Sequence, residues 1–206
     1  MKWKPSYKFY RGSYRIARVL LGVFFRFEFK GSENVPSGAA MICSNHSSVT
    51  DPIIMAFAFG IDCWLHFLAK IELFKAPVIS LIVKKLGAVS VNRNMTDITT
   101  IKRTLEYFRN GEKVAIFPEG TRASEADYIE AKSGAVRIAE RAGVPLVPVF
   151  VPRKKRIFRK AVVVIGEPYF IEKQSGKRSA DDYARLSEEL MNRIEALNTE
   201  SRKAAI

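Results

Sequence analysis

The 206-residue sequence predicts an α/β fold: a single domain with a largely parallel or mixed central sheet, helices on both faces, and an N-terminal amphipathic helix leading into it. Three observations predict it. Short apolar runs of strand length alternate with segments of helical period between about residues 39 and 165. No break in composition divides the chain. The first thirty or so residues place aromatic and basic side chains at helical spacing. The leading helix is assigned to residues 1–30 and the domain to 31–206.

In chain order, residues 5–29 read as one helix with Tyr7, Tyr10 and Tyr14 on one stripe and Lys8, Arg11, Arg15 and Arg18 on the next. Adjacent basic and aromatic faces suit a helix lying along the headgroups of an anionic membrane with its rings dipped inward. A helix packed on the domain with a solvated basic face fits the same pattern. After turns at Gly31 and Pro36-Ser37-Gly38, strands are predicted over 39–43, 64–68, 87–91, 113–117, 146–150 and 161–165. Helices are predicted over 52–60, 77–86, 97–110 and 133–142. A terminal helix over 179–203 packs through Tyr183, Leu186, Leu190, Ile194 and Leu197.

The net charge of +13 selects anionic partners: nucleic acid, an acidic membrane surface, or a phosphorylated substrate. Cys43 and Cys63 are too few for a disulfide framework and lie in apolar runs, which favours a reducing, cytosol-facing location. The apolar stretch 19–25 is too short to span a bilayer and lacks a small-residue cleavage site, so neither a signal peptide nor a transmembrane helix is expected.

The segment richest in chemistry is Asn45-His46-Ser47-Ser48-Val49-Thr50-Asp51. Residues five apart on an α-helix are rotated by roughly 140° and share no face, so the segment must turn for His46 and Asp51 to meet. A strand ending before His46 and a helix opened by Asp51 and Pro52 supply that turn. As the helix N-cap, Asp51 is expected to be held by backbone N–H groups, stay ionised, and accept a hydrogen bond from His46 Nδ1–H. That leaves Nε2 free as a general base. Taken alone, the heptapeptide fits a capped helix and an ordinary loop histidine equally well.

Two more motifs lie at the same end of the sheet. One strand delivers Arg93, and Phe117-Pro118-Glu119-Gly120-Thr121-Arg122 follows another. Ligands of open α/β sheets bind beyond the carboxyl ends of the strands. There Arg93 and Arg122 can grip phosphate in bidentate fashion, Gly120 permits close backbone approach, Thr121 adds a hydroxyl, and Glu119 can bind a ligand hydroxyl or hold one of those arginines. A basic pocket beside a histidine base, without a metal-ligand cluster or nucleotide loop, points to deprotonation of a hydroxyl on a phosphorylated substrate.

These motifs, with Lys70-Ile71-Glu72-Leu73 and Val147-Pro148-Val149, resemble in order the successive motifs of the glycerolipid acyltransferases, above all the short bacterial 1-acylglycerol-3-phosphate acyltransferases. The resemblance covers about residues 31–170. It implies acyl transfer from a thioester donor, acyl-CoA or acyl-carrier protein, to the sn-2 hydroxyl of lysophosphatidate, without a cofactor or metal. It implies His46 as base, Asp51 as its orienter and Lys70 as the oxyanion's cation. Arg93, Glu119, Gly120, Thr121 and Arg122 correspond to the glycerol-phosphate site, and Val147-Pro148 to the acyl region. Two departures stand out: Ser90 and Val91 replace an aromatic residue before Arg93, and Ala123 stands where serine is common.

The implied setting is the cytoplasmic face of the cell membrane, bound peripherally or monotopically, with an anionic membrane surface, lysophosphatidate and the thioester donor as partners and no nucleic acid. Other readings remain: another lysolipid acceptor, a hydrolase using Ser44, Ser47 or Ser48 beside His46, and a basic nucleic-acid binder using Arg153-Lys154-Lys155-Arg156. The hydrolase lacks a Gly-x-Ser-x-Gly elbow. The basic cluster is expected to face headgroups or donor phosphates, or simply solvent.

Overall fold

A computed structural model describes residues 4–92, 97–122, 131–172, 174 and 176–205. A seven-stranded sheet in the order β1-β7-β6-β2-β5-β3-β4 forms its centre. The strands are β1 (Arg26–Lys30), β2 (Ala40–Ser44), β3 (Leu65–Lys70), β4 (Val89–Val91), β5 (Lys113–Ile116), β6 (Leu146–Phe150) and β7 (Lys160–Ile165). All neighbours pair in parallel except β6 and β7, so β1 and β7 run against the other five. The sheet is therefore mixed, and every residue of central β2 is buried, as expected of a strand covered on both faces.

Among the described residues six α-helices flank it: α1 (Tyr7–Phe24), α2 (Asp51–Phe59), α3 (Pro77–Lys85), α4 (Ile98–Arg109), α5 (Gly134–Ala142) and α6 (Ala180–Ala205). Ile54, Met55, Ala58 and Phe59 of α2 close one core against Ala40, Ile42, Ala115 and Val163. On the opposite face Tyr107 and Phe108 of α4, Val136 and Ala139 of α5, and Leu190 and Ile194 of α6 pack on Met41, Cys43 and Val114.

Two expectations need correction. The first helix ends at Phe24, and residues 26–30, read as its last turn, form β1 in register with β7. The sequence there alternates, Arg26-Phe27-Glu28-Phe29-Lys30, and the two phenylalanines join the α2-side core. The second correction concerns which way α1 faces. Two of its three tyrosines turn inward: Tyr10 is buried against Trp64, its hydroxyl donates to Cys63 O at 2.9 Å, and Tyr14 meets Phe57 edge-on at 5.2 Å. Arg11 pairs with Asp62, and Arg18 lies over the rings of Phe29 and Phe57. The face left open is largely apolar and carries Ile16, Val19, Leu20, Val23 and Phe24.

Candidate active site

Strands β2, β5, β3 and β4 run in parallel, so their carboxyl ends open on one side of the sheet. His46 follows β2, Phe117 and Pro118 follow β5, and Lys70 ends β3. They line one groove of about 1440 Å³, with Gly120, Thr121 and Arg122 on its wall and Arg137 and Arg141 of α5 farther along it. Arg93, expected from the strand before it, lies outside the described residues. Val147 and Pro148, implied for the acyl region, are buried in β6 and do not line the groove.

The turn between β2 and α2 is built from its own polar groups. Asn45 leaves the end of β2 and exchanges two 2.8 Å hydrogen bonds with the backbone of Val151, its Nδ2 donating to the carbonyl and its Oδ1 accepting the N–H. That amide continues the β2–β6 ladder one step past the strand and aims the next residue, His46, into the groove. The imidazole lies against Phe117 with centroids 4.1 Å apart and planes 18° from parallel.

Asp51 is fully buried, and its Oδ2 is 3.0 Å from His46 Nδ1. The same oxygen accepts the N–H groups of Ser47 and Ser48, each at 2.7 Å. Thr50, not Asp51, is the N-cap of α2, so the carboxylate reaches back across its own turn instead of capping the helix. Its other oxygen, Oδ1, is 2.7 Å from the ammonium of Lys155. Burial opposes ionisation of Asp51, but the His46 hydrogen bond, the Lys155 charge and the Ser48 N–H outweigh it and hold the carboxyl below its ordinary range. An acceptor at Nδ1 fixes the imidazole tautomer with Nδ1 protonated, and Nε2 has no hydrogen-bond partner among the described residues.

Glu119 is buried and engaged at both oxygens. Oε2 accepts the His46 N–H at 3.0 Å, and Oε1 meets Arg153 at 3.1 Å. Burial raises its carboxyl above the ordinary range against the lowering effect of Arg153. Arg153 also binds Glu195 of α6. Glu119 thus holds an arginine, as one reading of it expected, but the arginine is Arg153. Gly120 turns the chain with φ +68° and packs on the Lys132 side chain. Thr121 and Arg122 are exposed on the groove wall.

Arg153 and Lys155 are the site residues the sequence did not single out. Both sit in the basic run read as a surface patch, yet both are largely buried behind the site. Their spacing of two was the available signal, because alternate residues of an extended chain share a face. The serines offered as hydrolase nucleophiles are occupied elsewhere: Ser44 on Asn45, Ser47 on Arg153 O and Lys155, Ser48 on Thr50. His66, the second histidine, takes no part. It is stacked 3.8 Å from the Tyr107 ring, with Nδ1 on Gly87 O.

The family model described as Acyltransferase matches residues 26–152. The chain is 33% identical over 187 residues to a 1-acyl-sn-glycerol-3-phosphate acyltransferase of Bacillus subtilis, covering 87% of this chain and 92% of that protein. A protein of the same name from Borreliella burgdorferi is 28% identical over 161 residues, covering 77% of this chain and 63% of its own length. The crystal structure of the 1-acyl-sn-glycerophosphate (LPA) acyltransferase PlsC from Thermotoga maritima superposes with a TM-score of 0.65 at 27% identity, covering 93% of this chain and 79% of that one. With its sheet from β1 through β6 inside the matched residues and the His46–Asp51 pair at the carboxyl end of that sheet, this chain belongs to the acyltransferase family.

Proposed function

We propose that this chain moves a fatty acyl group from a thioester, acyl-CoA or acyl-carrier protein, to the sn-2 hydroxyl of 1-acylglycerol-3-phosphate, forming phosphatidate for phospholipid biosynthesis. The observation that carries the reading is the His46–Asp51 pair on a groove whose wall includes Lys70 and Arg122. The acceptor follows from the names of the similar proteins in Bacillus subtilis and Borreliella burgdorferi.

In this reading His46 Nε2 takes the hydroxyl proton as the oxygen attacks the thioester carbonyl carbon. Lys70 offsets the charge that builds on the carbonyl oxygen. The C–S bond breaks, the imidazolium returns its proton to the departing sulfur, and a thiol and an ester leave without an acyl-enzyme. Arg122 and Thr121, with Arg93, two residues beyond β4 in the sequence, bind the acceptor phosphate, and Gly120 lets it approach the backbone. Glu119 is a positioning residue, since His46 N–H and Arg153 occupy its carboxylate. The setting is the cytoplasmic face of an anionic membrane, with the apolar face of α1 in lipid and no nucleic-acid partner. Among the described residues no helix is long and apolar enough to cross a membrane.

Thiol release from acyl-CoA and acyl-carrier protein, measured with and without lysophosphatidate, tests the reading. Release that requires the acceptor and is matched by phosphatidate supports it, and equal release without acceptor replaces it with hydrolysis.

A further inference from the structure

The loop between β6 and β7 has two opposite faces. At its root Arg153 and Lys155 turn inward to Glu119 and Asp51. At its tip Ile157 and Phe158 are 56% and 68% exposed. Phe158 is the one described non-glycine residue with positive φ, at +59°. A bulky side chain disfavours that left-handed backbone, so the fold holds an aromatic ring out in solvent at a conformational cost.

The tip is anchored, for the Phe158 N–H donates to Phe24 O at 2.7 Å, at the end of α1. It therefore joins the apolar face of α1, where Val19, Leu20 and Val23 are likewise exposed. Exposed basic residues collar the tip: Lys154, Arg156 and Arg159. A contiguous apolar surface with a cationic rim matches an anionic bilayer, which accepts the apolar groups below the headgroups and the charges among them.

We infer that Ile157 and Phe158 form a second lipid-inserting element beside α1, whose occupant is an anionic membrane. This rests on the membrane setting proposed above. The loop carries at one end the support of the proposed base and at the other its contact with lipid.

The test uses the full chain and vesicles of phosphatidylcholine with and without phosphatidylglycerol. Ile157→Ser/Phe158→Ser is expected to lower partition onto the anionic vesicles by about tenfold or more, while turnover of a short-chain, water-dispersed lysophosphatidate stays at the wild-type level. Phe158→Asn separates insertion from folding, because asparagine tolerates the left-handed backbone: partition falls while thermal stability holds or rises. Unchanged partition of both variants overturns the inference. So does an unchanged partition accompanied by a dimer-to-monomer change in sedimentation, which assigns the face to a second copy of the chain. Failure of wild-type turnover on the dispersed acceptor counts against the acyltransfer reading and leaves the partition result to judge the loop.

Discussion

Asp51 touches an imidazole through one oxygen and an ammonium through the other, and losing either neighbour has a different consequence. Loss of the imidazole removes the base: His46→Ala is expected to lower turnover by on the order of a thousandfold or more, with the circular dichroism spectrum and melting temperature nearly unchanged. Loss of the ammonium leaves a buried carboxylate half-paired. Lys155→Met is expected to cost about 3 kcal/mol in denaturant titrations, and Lys155→Arg much less. The native carboxyl of Asp51 is held low, so its stabilising contribution is present above the ordinary carboxylate range and is lost as pH falls through its folded value. In Lys155→Met that loss begins at higher pH.

His66 adds to the same loss at low pH, because it is buried in its neutral form. Burial, opposed by the Gly87 carbonyl and assisted by Arg103, lowers it to about 4. The unfolded chain takes up this proton first, so stability falls as pH drops from about 6.5 toward 4, by up to about 3 kcal/mol. Glu112, 3.5 Å from Nε2 and raised by burial, works against that loss. Denaturation midpoints of His66→Phe measured across this range are expected to lack the histidine component.

At the scale of elements, the six expected strands and five of the expected helices lie within two residues of their predicted bounds, because apolar period and caps fix them locally. β1 was hidden by position. It continues directly from an amphipathic helix, and only its pairing with β7 distinguishes five alternating residues from a last helical turn. The facing of α1 was equally illegible, since tyrosine and arginine stripes fit lipid and protein alike until Trp64, Phe57 and Asp62 occupy one side. In the site, the His46–Asp51 turn could be read from spacing. The spacing of Arg153 and Lys155 was masked, because Lys154 and Arg156 beside them are cationic too and the partner of Lys155 is more than a hundred residues away. One turn bears directly on how the sheet is joined. Gly31 leaves β1 with φ +74°, and a Cβ there would lie 1.9 Å from Ile165 O. Gly31→Ala is expected to cost about 2 kcal/mol or more in a thermal melt, through strain and displacement of the end of β7.

For the whole molecule, the charge of +13 acts together with the apolar surface of α1 and the 157–158 tip. Charge attraction is screened by salt and apolar insertion is not. Binding to anionic vesicles is expected to fall severalfold between about 50 and 500 mM salt and then level off, whereas a charge-only surface continues to lose affinity. Co-sedimentation over a salt series reads this, and duplex DNA under the same conditions is expected to remain free.

The place of β1 at the sheet edge also sets an order of events during synthesis. Its partner, β7, comes last of the described strands, and Glu195, which steadies the arginine behind Glu119, comes later still. A nascent chain therefore completes the edge of its sheet, and the carboxylate that steadies the arginine behind Glu119, only after the strands that carry the candidate site have been made.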